Sequence, residues 1–361
     1  MSSQTIFLGT DCGATTSKIV ALREDGTPVS KKLLQRKTRS EDGPNATVAG
    51  WVEAIDEYLG EHGLKWDQVA GCGLATPGPY LRYGVFDKTA NLPASFFGFD
   101  VYSAYRDALK KRTGRDIHVI VGNDGNLGGV AEAQALRTQA DEQAVESGGR
   151  RTSKATVVML APGSGLGCAY VDDRGLPLDG DTLAGMEGGH MPAPIHELGV
   201  PPLPCGCGRM WGCIESYTSL AGLGYLLQMK LKDHPGHPLS EKSATDRHRV
   251  LELRTLAQQG DPLALELFDF QAKALGYHVA ILAMALDPEY FVIGGGLMDP
   301  ESTTETFRNR YLNVLRNTAM PNLWLAQKSK IKIVPASLGE LSQAIGAALV
   351  VRYEVQHASQ R

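Results

Sequence analysis

Apolar and polar positions follow two periods along this chain, and the switches between them predict its elements. Residues 4–9 and 17–22 read as strands joined by the polar turn Asp11-Cys12-Gly13-Ala14-Thr15-Thr16; Asp25-Gly26 marks a further turn before a third strand over 29–34. Helical spacing follows over 48–59, a β-type run over 69–75, a helix over 101–111 and a buried strand over 117–121. Strands alternating with helices in this way predict an α/β domain.

The polar stretch 138–153, with Gly148-Gly149-Arg150-Arg151, reads as a surface insertion or linker after a helix that begins near Asn126. A second meander then opens, with strand 155–161, turn Pro162-Gly163-Ser164-Gly165 and returning strand 166–171. The order of the first half is thus repeated in architecture, though not in letters. Helices are predicted over 214–230, 250–258, 262–286, 304–317 and 338–353, and strands over 290–293 and 331–335. Segment 231–249 has no apolar period and reads as a solvated loop whose histidines lie on the surface. The expected division is a first lobe over 1–135, a linker over 136–154 and a second lobe over 155–361.

Length and composition agree with two lobes: 361 residues, 43% of them hydrophobic, can bury about two cores. A net charge of -4 gives no basic surplus for a nucleic-acid partner. No apolar run approaches the roughly 18 residues of a membrane span, and residues 1–5 lack the features of a signal peptide, so a cytoplasmic address is expected. Three of the six cysteines, Cys205, Cys207 and Cys213, fall close together, which in a cytosolic chain points to metal ligation more than to disulfides.

Candidate chemistry gathers in the turns. In the first, Gly13 and its small neighbours let the backbone approach a phosphate, the hydroxyls of Thr15 and Thr16 offer hydrogen bonds, and the Asp11 carboxylate can hold hydrated Mg²⁺; the alternative is a plain hairpin turn. Gly163, Ser164 and Gly165 have the same qualifications at the equivalent point of the second half, and a nucleotide tail held by two hairpins needs both. Gly294, Gly295 and Gly296 follow an apolar strand, where a base or ribose can come close. Asp124, in Gly122-Asn123-Asp124-Gly125-Asn126, would stand at the carboxyl end of a strand, able to take a proton from a hydroxyl that Asn123 positions. The competing role for Asn123 or Asp124 is to cap the following helix. Cys205, Cys207, Cys213 and an imidazole make a tetrahedral Zn²⁺ set, with reduced core cysteines as the alternative.

In order and in motif these residues resemble the ROK family of sugar kinases and sugar-responsive repressors, within the actin-like ATPase superfamily. The resemblance runs from Ile6 to about Val351 through the Asp11 turn, Pro77-Gly78-Pro79, Asn91-Leu92-Pro93, Asn123-Asp124, the Ser164 turn, Glu187 and His190, the cysteines with Glu215, and Gly294-Gly295-Gly296. It implies two actin-like, ribonuclease H-like lobes with a duplicated βββαβαβα core and a cleft between them that holds ATP with Mg²⁺. It also implies Asp124 as catalytic base, Gly78, Asn123, Asp124, Glu187, His190 and Glu215 as sugar-binding residues, and His190 as the fourth zinc ligand. The cysteine spacing is one residue longer than is usual in the family, and fourteen residues separate His190 from Cys205, which leaves His196 as a rival ligand. With the phosphate turn at residue 11 there is no room for the helix-turn-helix of the repressors, so the kinase branch is expected. Glu187-Gly188-Gly189-His190-Met191 resembles the glucokinase form of the sugar loop and makes glucose the leading substrate. N-acetylmannosamine, N-acetylglucosamine, fructose and allose suit similar pockets, and a non-catalytic sugar-binding regulator is the reading from another class. Family members are often dimers or tetramers, which sets the expectation of a homo-oligomer.

Overall fold

A computed structural model describes residues 5–13, 15–30, 32–88, 92–147, 154–240 and 246–358. It divides into two compact units, one made of Met1–Ala155, Ala169–Met186 and Glu340–Arg361, the other of Thr156–Cys168 and Glu187–Gly339. These differ from the expected lobes 1–135 and 155–361, because the residues up to Ala155, Ala169–Met186 and the last helix all group with the first sheet. Among the described residues no helix is long and apolar enough to cross a membrane.

In the first unit the chain runs β1 (Ile6–Cys12), β2 (Thr16–Arg23), β3 (Leu34–Lys37), α1 (Pro44–Glu61), β4 (Val69–Thr76), the small hairpin β5 (Tyr80–Arg82) and β6 (Val85–Phe86), α2 (Val101–Thr113), β7 (His118–Asn123) and α3 (Asp124–Glu146). The main sheet has the order β3-β2-β1-β4-β7. Every residue of β1 is buried, as a strand covered on both faces requires. Ile6 and Leu8 join Trp51, Ile55 and Tyr58 of α1 and Tyr105 of α2 in the larger core. Phe7 points the other way, to Ile120 and to Val351 of the C-terminal helix, Ser342–His357. That helix lies on the sheet at backbone distance. A Cβ on Gly9 would stand 1.8 Å from the Ala344 carbonyl oxygen, and one on Gly73 2.3 Å from that of Ala347.

Two expectations in this unit need correction. The third strand is Leu34–Lys37 and not 29–34; ahead of it the Ser30 hydroxyl accepts the Lys32 N–H at 2.9 Å, a local turn that competes with strand pairing. The expected linker at 138–153 begins as helix, since α3 continues to Glu146. Its Ala, Gln and Glu residues are good helix formers, and their polarity marks a solvated face and not a loop. Residues 148–153 lie outside the described residues.

The second unit contains β8 (Val157–Pro162), the start of β9 (Leu166–Val171), α4 (Ile195–Leu198), α5 (Glu215–Thr218), α6 (Leu220–Leu231), α7 (Asp246–Gln258), α8 (Pro262–Leu286), β10 (Tyr290–Ile293), α9 (Glu305–Ala319), α10 (Leu325–Lys330) and β11 (Lys332–Pro335). Its sheet has the order β11-β10-β8-β9, with β10 parallel to both β8 and β11. The helix expected over 214–230 is broken at Ser219, whose extended backbone (φ -88°, ψ 169°) and hydroxyl, accepting the Gly222 N–H at 3.1 Å, start α6 afresh. Of the expected loop 231–249, residues 241–245 lie outside the described residues and α7 already begins at Asp246. His237 departs from the surface role expected of it: its side chain is nearly buried, 3.3 Å from the Asp261 carboxylate that caps α8.

The contact of the C-terminal helix with the first sheet and α3 leaves no room for a side chain at Gly346, where a Cβ would fall 1.7 Å from the Leu127 carbonyl oxygen. Gly346→Ala is expected to destabilise the protein by about 1–3 kcal/mol through overpacking, read as a lower urea midpoint at unchanged slope. Gly63→Ala, where a side chain meets nothing within 4 Å but φ is +64°, serves as the strained yet unpacked comparison.

Candidate active site

Strand register gathers the candidate residues of the first unit. β1 and β4 run parallel with Asp11 opposite Ala75, and β4 and β7 run parallel with Thr76 opposite Asn123. The motifs at residues 11, 76–78 and 123–124, far apart in sequence, therefore share the carboxyl edge of adjacent strands, where open α/β sheets place their ligands. Antiparallel pairing of β1 with β2 sets Lys18 opposite Asp11. Its ammonium lies 3.7 Å from the Asp11 carboxylate and 3.3 Å from that of Glu340.

Burial pushes the Asp11 carboxyl up to about 7, against the pull of Lys18, and the nearby charges of Asp124 and Glu340 push it in the same direction. Carboxylates with one ammonium among them are a donor set that fits a hydrated Mg²⁺, held by Asp11; such an ion supplies charge neutralisation for phosphate oxygens. At the end of β7 the two competing roles separate. The Asn123 side-chain oxygen accepts the Asn126 N–H at 3.2 Å and caps α3. Asp124 is the first residue of that helix, half-buried, and accepts its own neighbour's N–H, that of Gly125, at 2.7 Å. Gly78 follows β4 and is half-buried, while Thr15 and Thr16 close the β1–β2 hairpin. Ala14 and Asn91 lie outside the described residues.

In the second unit, Gly163, Ser164 and Gly165 form the turn between β8 and β9, closed by a hydrogen bond of 2.8 Å from the Gly163 N–H to the Gly165 carbonyl, with Ser164 exposed. Glu215 reaches this turn. One of its oxygens accepts the Leu166 N–H at 2.9 Å, while the other lies 3.7 Å from the Cys205 sulfur and 4.0 Å from His190 Nδ1. Glu187 heads the short turn whose third residue is His190, so Glu187, His190 and Glu215 are held in one unit. The three glycines after β10 are not equivalent. Gly294 is buried; Gly295 (φ +75°) rests on β8, where a Cβ would stand 2.1 Å from the Pro162 carbonyl, and Gly296 is open except for the Arg254 guanidinium. Only Gly295 and Gly296 are exposed to a ligand.

His190, Cys205, Cys207 and Cys213 offer four ligand atoms within 4.8 Å of one another. The Cys205 sulfur to His190 Nδ1 and the Cys207 to Cys213 sulfur separations are both 3.6 Å. A tetrahedral centre with metal–sulfur bonds of about 2.3 Å has ligand atoms some 3.6–3.8 Å apart, so the set fits zinc. All six cysteines are free thiols. His196 is not part of the group: its side chain is 98% exposed and faces Glu197.

Several residues of this arrangement escaped sequence reasoning. Lys18 and Glu340 are brought to Asp11 by register and by the returning C-terminal segment, with no local signal. Asn126 is buried and donates to Asp179 at 2.8 Å and to the Gly185 carbonyl at 3.3 Å, tying the start of α3 to the loop before Glu187. Leu183 and Met186 in that loop have φ of 55° and 63°, which side chains rarely adopt and which no pattern of letters announces.

A sequence model of the ROK family matches residues 7–354, and the chain belongs to that family. Over 355 residues it is 26% identical to a glucokinase of Halalkalibacterium halodurans, covering 96% of this chain and 95% of the relative. An N-acetyl-D-glucosamine kinase of Salmonella heidelberg is 27% identical over 273 residues, or 74% and 78% of the two chains. Among solved structures, a ROK hexokinase from Thermus thermophilus superimposes with a TM-score of 0.69 at 26% identity, covering 98% of this chain and 99% of that one. The fold is the actin-like ATPase fold of these kinases.

The raised Asp11 fixes the sign of a pH effect. A carboxyl at about 7 in the folded protein, against 3.8 ordinarily, contributes stability that is complete below the ordinary value and is lost as pH rises through 7. In magnesium-free buffer, Asp11→Asn is therefore expected to melt above wild type at pH 8, with the difference shrinking towards pH 5. A variant that melts below wild type at pH 8 contradicts the burial of a proton-seeking carboxyl.

Proposed function

We propose that this protein is an ATP-dependent hexokinase that transfers the γ-phosphate to the C6 hydroxyl of glucose, with Asp124 as general base. The observation that carries the proposal is the edge formed by β1, β4 and β7, which bears Asp11 and Asp124 within reach of each other's charge while Asn123 takes the capping role that would otherwise explain the pair. In this reading Asn123, Asp124, Glu187, His190, Glu215 and the backbone at Gly78 hold the sugar. The turns at Gly13, Thr15 and Thr16 and at Gly163, Ser164 and Gly165 serve the ATP phosphates, with Gly295 and Gly296 near the rest of the nucleotide. Asp11 holds Mg²⁺, and the His190 and cysteine set holds a structural zinc.

Phosphoryl transfer has a loose transition state, so alignment and neutralisation of charge on the phosphate oxygens supply most of the acceleration. The carboxylate of Asp124 accepts the proton of the attacking hydroxyl as the new bond forms. The cytoplasm, where ATP and reduced thiols coexist, is the compartment this chemistry requires. The relatives are named for glucose, N-acetylgalactosamine and N-acetylglucosamine. ADP release measured with glucose, N-acetylglucosamine, N-acetylgalactosamine, N-acetylmannosamine, fructose and allose ranks the substrates, and absence of turnover with all six would favour the reading as a sugar-binding regulator.

Two substitutions test the assignments. Asp124→Asn keeps the shape and is expected to lower kcat by about 10²-fold or more, with hexose affinity by calorimetry much less affected; turnover within about tenfold of wild type would end the base assignment. The two turn glycines are expected to separate. Gly163 has open space for a side chain, so Gly163→Val should raise KM for ATP with little effect on hexose. A Cβ on Gly165 would fall 2.5 Å from a Glu215 oxygen, so Gly165→Val should raise both constants. A hexose-only defect in Gly163→Val contradicts the phosphate role of the turn.

A further inference from the structure

The loop between Cys207 and Cys213 carries a group that none of the roles above uses. Gly208 (φ +79°) and Gly212 (φ +72°) turn the chain at either end of Arg209-Met210-Trp211. Met210 is 84% and Trp211 51% exposed, so burial does not hold the indole where it is. Its N–H does: the indole nitrogen lies 3.1 Å from the His190 carbonyl oxygen and 3.2 Å from the Cys213 sulfur. The Arg209 guanidinium sits 5.8 Å from the centre of the indole ring and keeps its face covered. Backbone bonds already join the two segments, from Ile214 N–H to the Met191 carbonyl and from Ala193 N–H to the Gly212 carbonyl, both 2.9 Å. None of these reaches His190 itself. Beside the Cys205 sulfur that faces its ring, Trp211 links the cysteine loop to the main chain of His190, the one residue placed in both the metal set and the sugar set.

We propose that Trp211 is a positioning residue whose indole N–H clamps the His190 main chain to the cysteine loop and, through the same hydrogen, steadies the Cys213 thiolate. The proposal rests on the reading of His190 as a shared metal and sugar residue. A donor shared between a carbonyl and a ligand sulfur acts on both: it fixes where the imidazole begins, and it orients the sulfur and offsets part of the negative charge that three thiolates gather at one metal. Loss of the N–H should therefore loosen the metal and weaken the sugar together, while the phosphate turns and Asp124 stay as they are.

The test uses Trp211→Phe, which keeps a ring and loses the donor, and Trp211→Gln, which keeps a donor and loses the ring. Two readouts are taken on the purified full-length protein: the rate at which zinc passes to a chromogenic chelator, and KM for the best hexose beside kcat. Trp211→Phe is expected to release zinc about tenfold faster or more, the lower end of the effect of outer-shell partners, and to raise hexose KM several-fold with kcat little changed. Trp211→Gln should recover most of both. The proposal is overturned if Trp211→Phe matches wild type in both readouts, or if Phe and Gln are impaired alike, which would assign the effect to ring packing. Wild-type protein without zinc would remove the metal reading, and the hexose KM of Phe against Gln would then decide on the clamp alone. Protein without turnover would remove the kinase reading, leaving the zinc-release contrast to decide.

Discussion

The parallel register of β1, β4 and β7 is the constraint on which the first unit depends. One slip of one strand would move Asp11 away from Thr76 and Asn123, and because the side-chain period is two it would also turn every apolar residue of that strand to the wrong face. The register is secured on one face by the core of Ile6, Leu8, Leu74, Val119 and Val121 with α1 and α2. On the other it is secured by the C-terminal helix, which seats its carbonyl oxygens against Gly9 and Gly73. These glycines serve by having no side chain: the close approach that lets a helix from the end of the chain brace the edge bearing Asp11 is possible at no other residue type.

That edge concentrates negative charge. Asp11 keeps its proton to about 7 because burial disfavours the carboxylate and because Asp124 and Glu340 repel it, with Lys18 as the nearby compensation. Perturbed carboxyls of this kind gather at functional sites, and ionising a buried one opposes folding at neutral pH. The second unit is organised around a different device. Glu215 reaches from the start of α5 to the Leu166 N–H of the β8–β9 turn with one oxygen and faces Cys205 and His190 with the other. The Ser164 turn, the group of His190 and Cys205, and the segment of Glu187 thus meet at a single carboxylate. A side chain at Gly165 would meet this carboxylate, which the pattern of glycines in the turn does not announce.

How much was legible depended on the range of the interactions involved. The strands of the two sheets, the turns at 11–16 and 162–165, and helix 262–286 follow from local periodicity and turn chemistry, and most of them stand where the pattern placed them. Errors arose where a local rule met a competing local bond or a solvated face: Ser30 ended pairing ahead of β3, Ser219 restarted a helix, and a polar helical stretch after Thr138 read as a linker. The candidate chemistry was legible as residue types in turns, since glycines, hydroxyls, carboxylates and clustered thiols are unusual in combination. Their partners were not. Lys18 and Glu340 carry no motif of their own, and Asn126 and Trp211, though they stand inside motifs, find their partners only in what the fold sets beside them.

The sequence by itself therefore determined the α/β class, the resemblance to the ROK family and the inventory of groups capable of phosphate, sugar and metal chemistry, because each of these is written in short-range pattern or in composition. Tertiary structure alone decided between residues of equal chemistry. It placed His190 and not the exposed His196 with the three cysteines, gave the helix cap to Asn123 and not to Asp124, and returned the last helix to the first sheet. The physical reason is the same in each case: periodicity and propensity act over a few residues, whereas a cluster of thiols and imidazole, a choice between two caps and a charge-bearing edge depend on distances between segments that only the packed chain brings within a few ångströms.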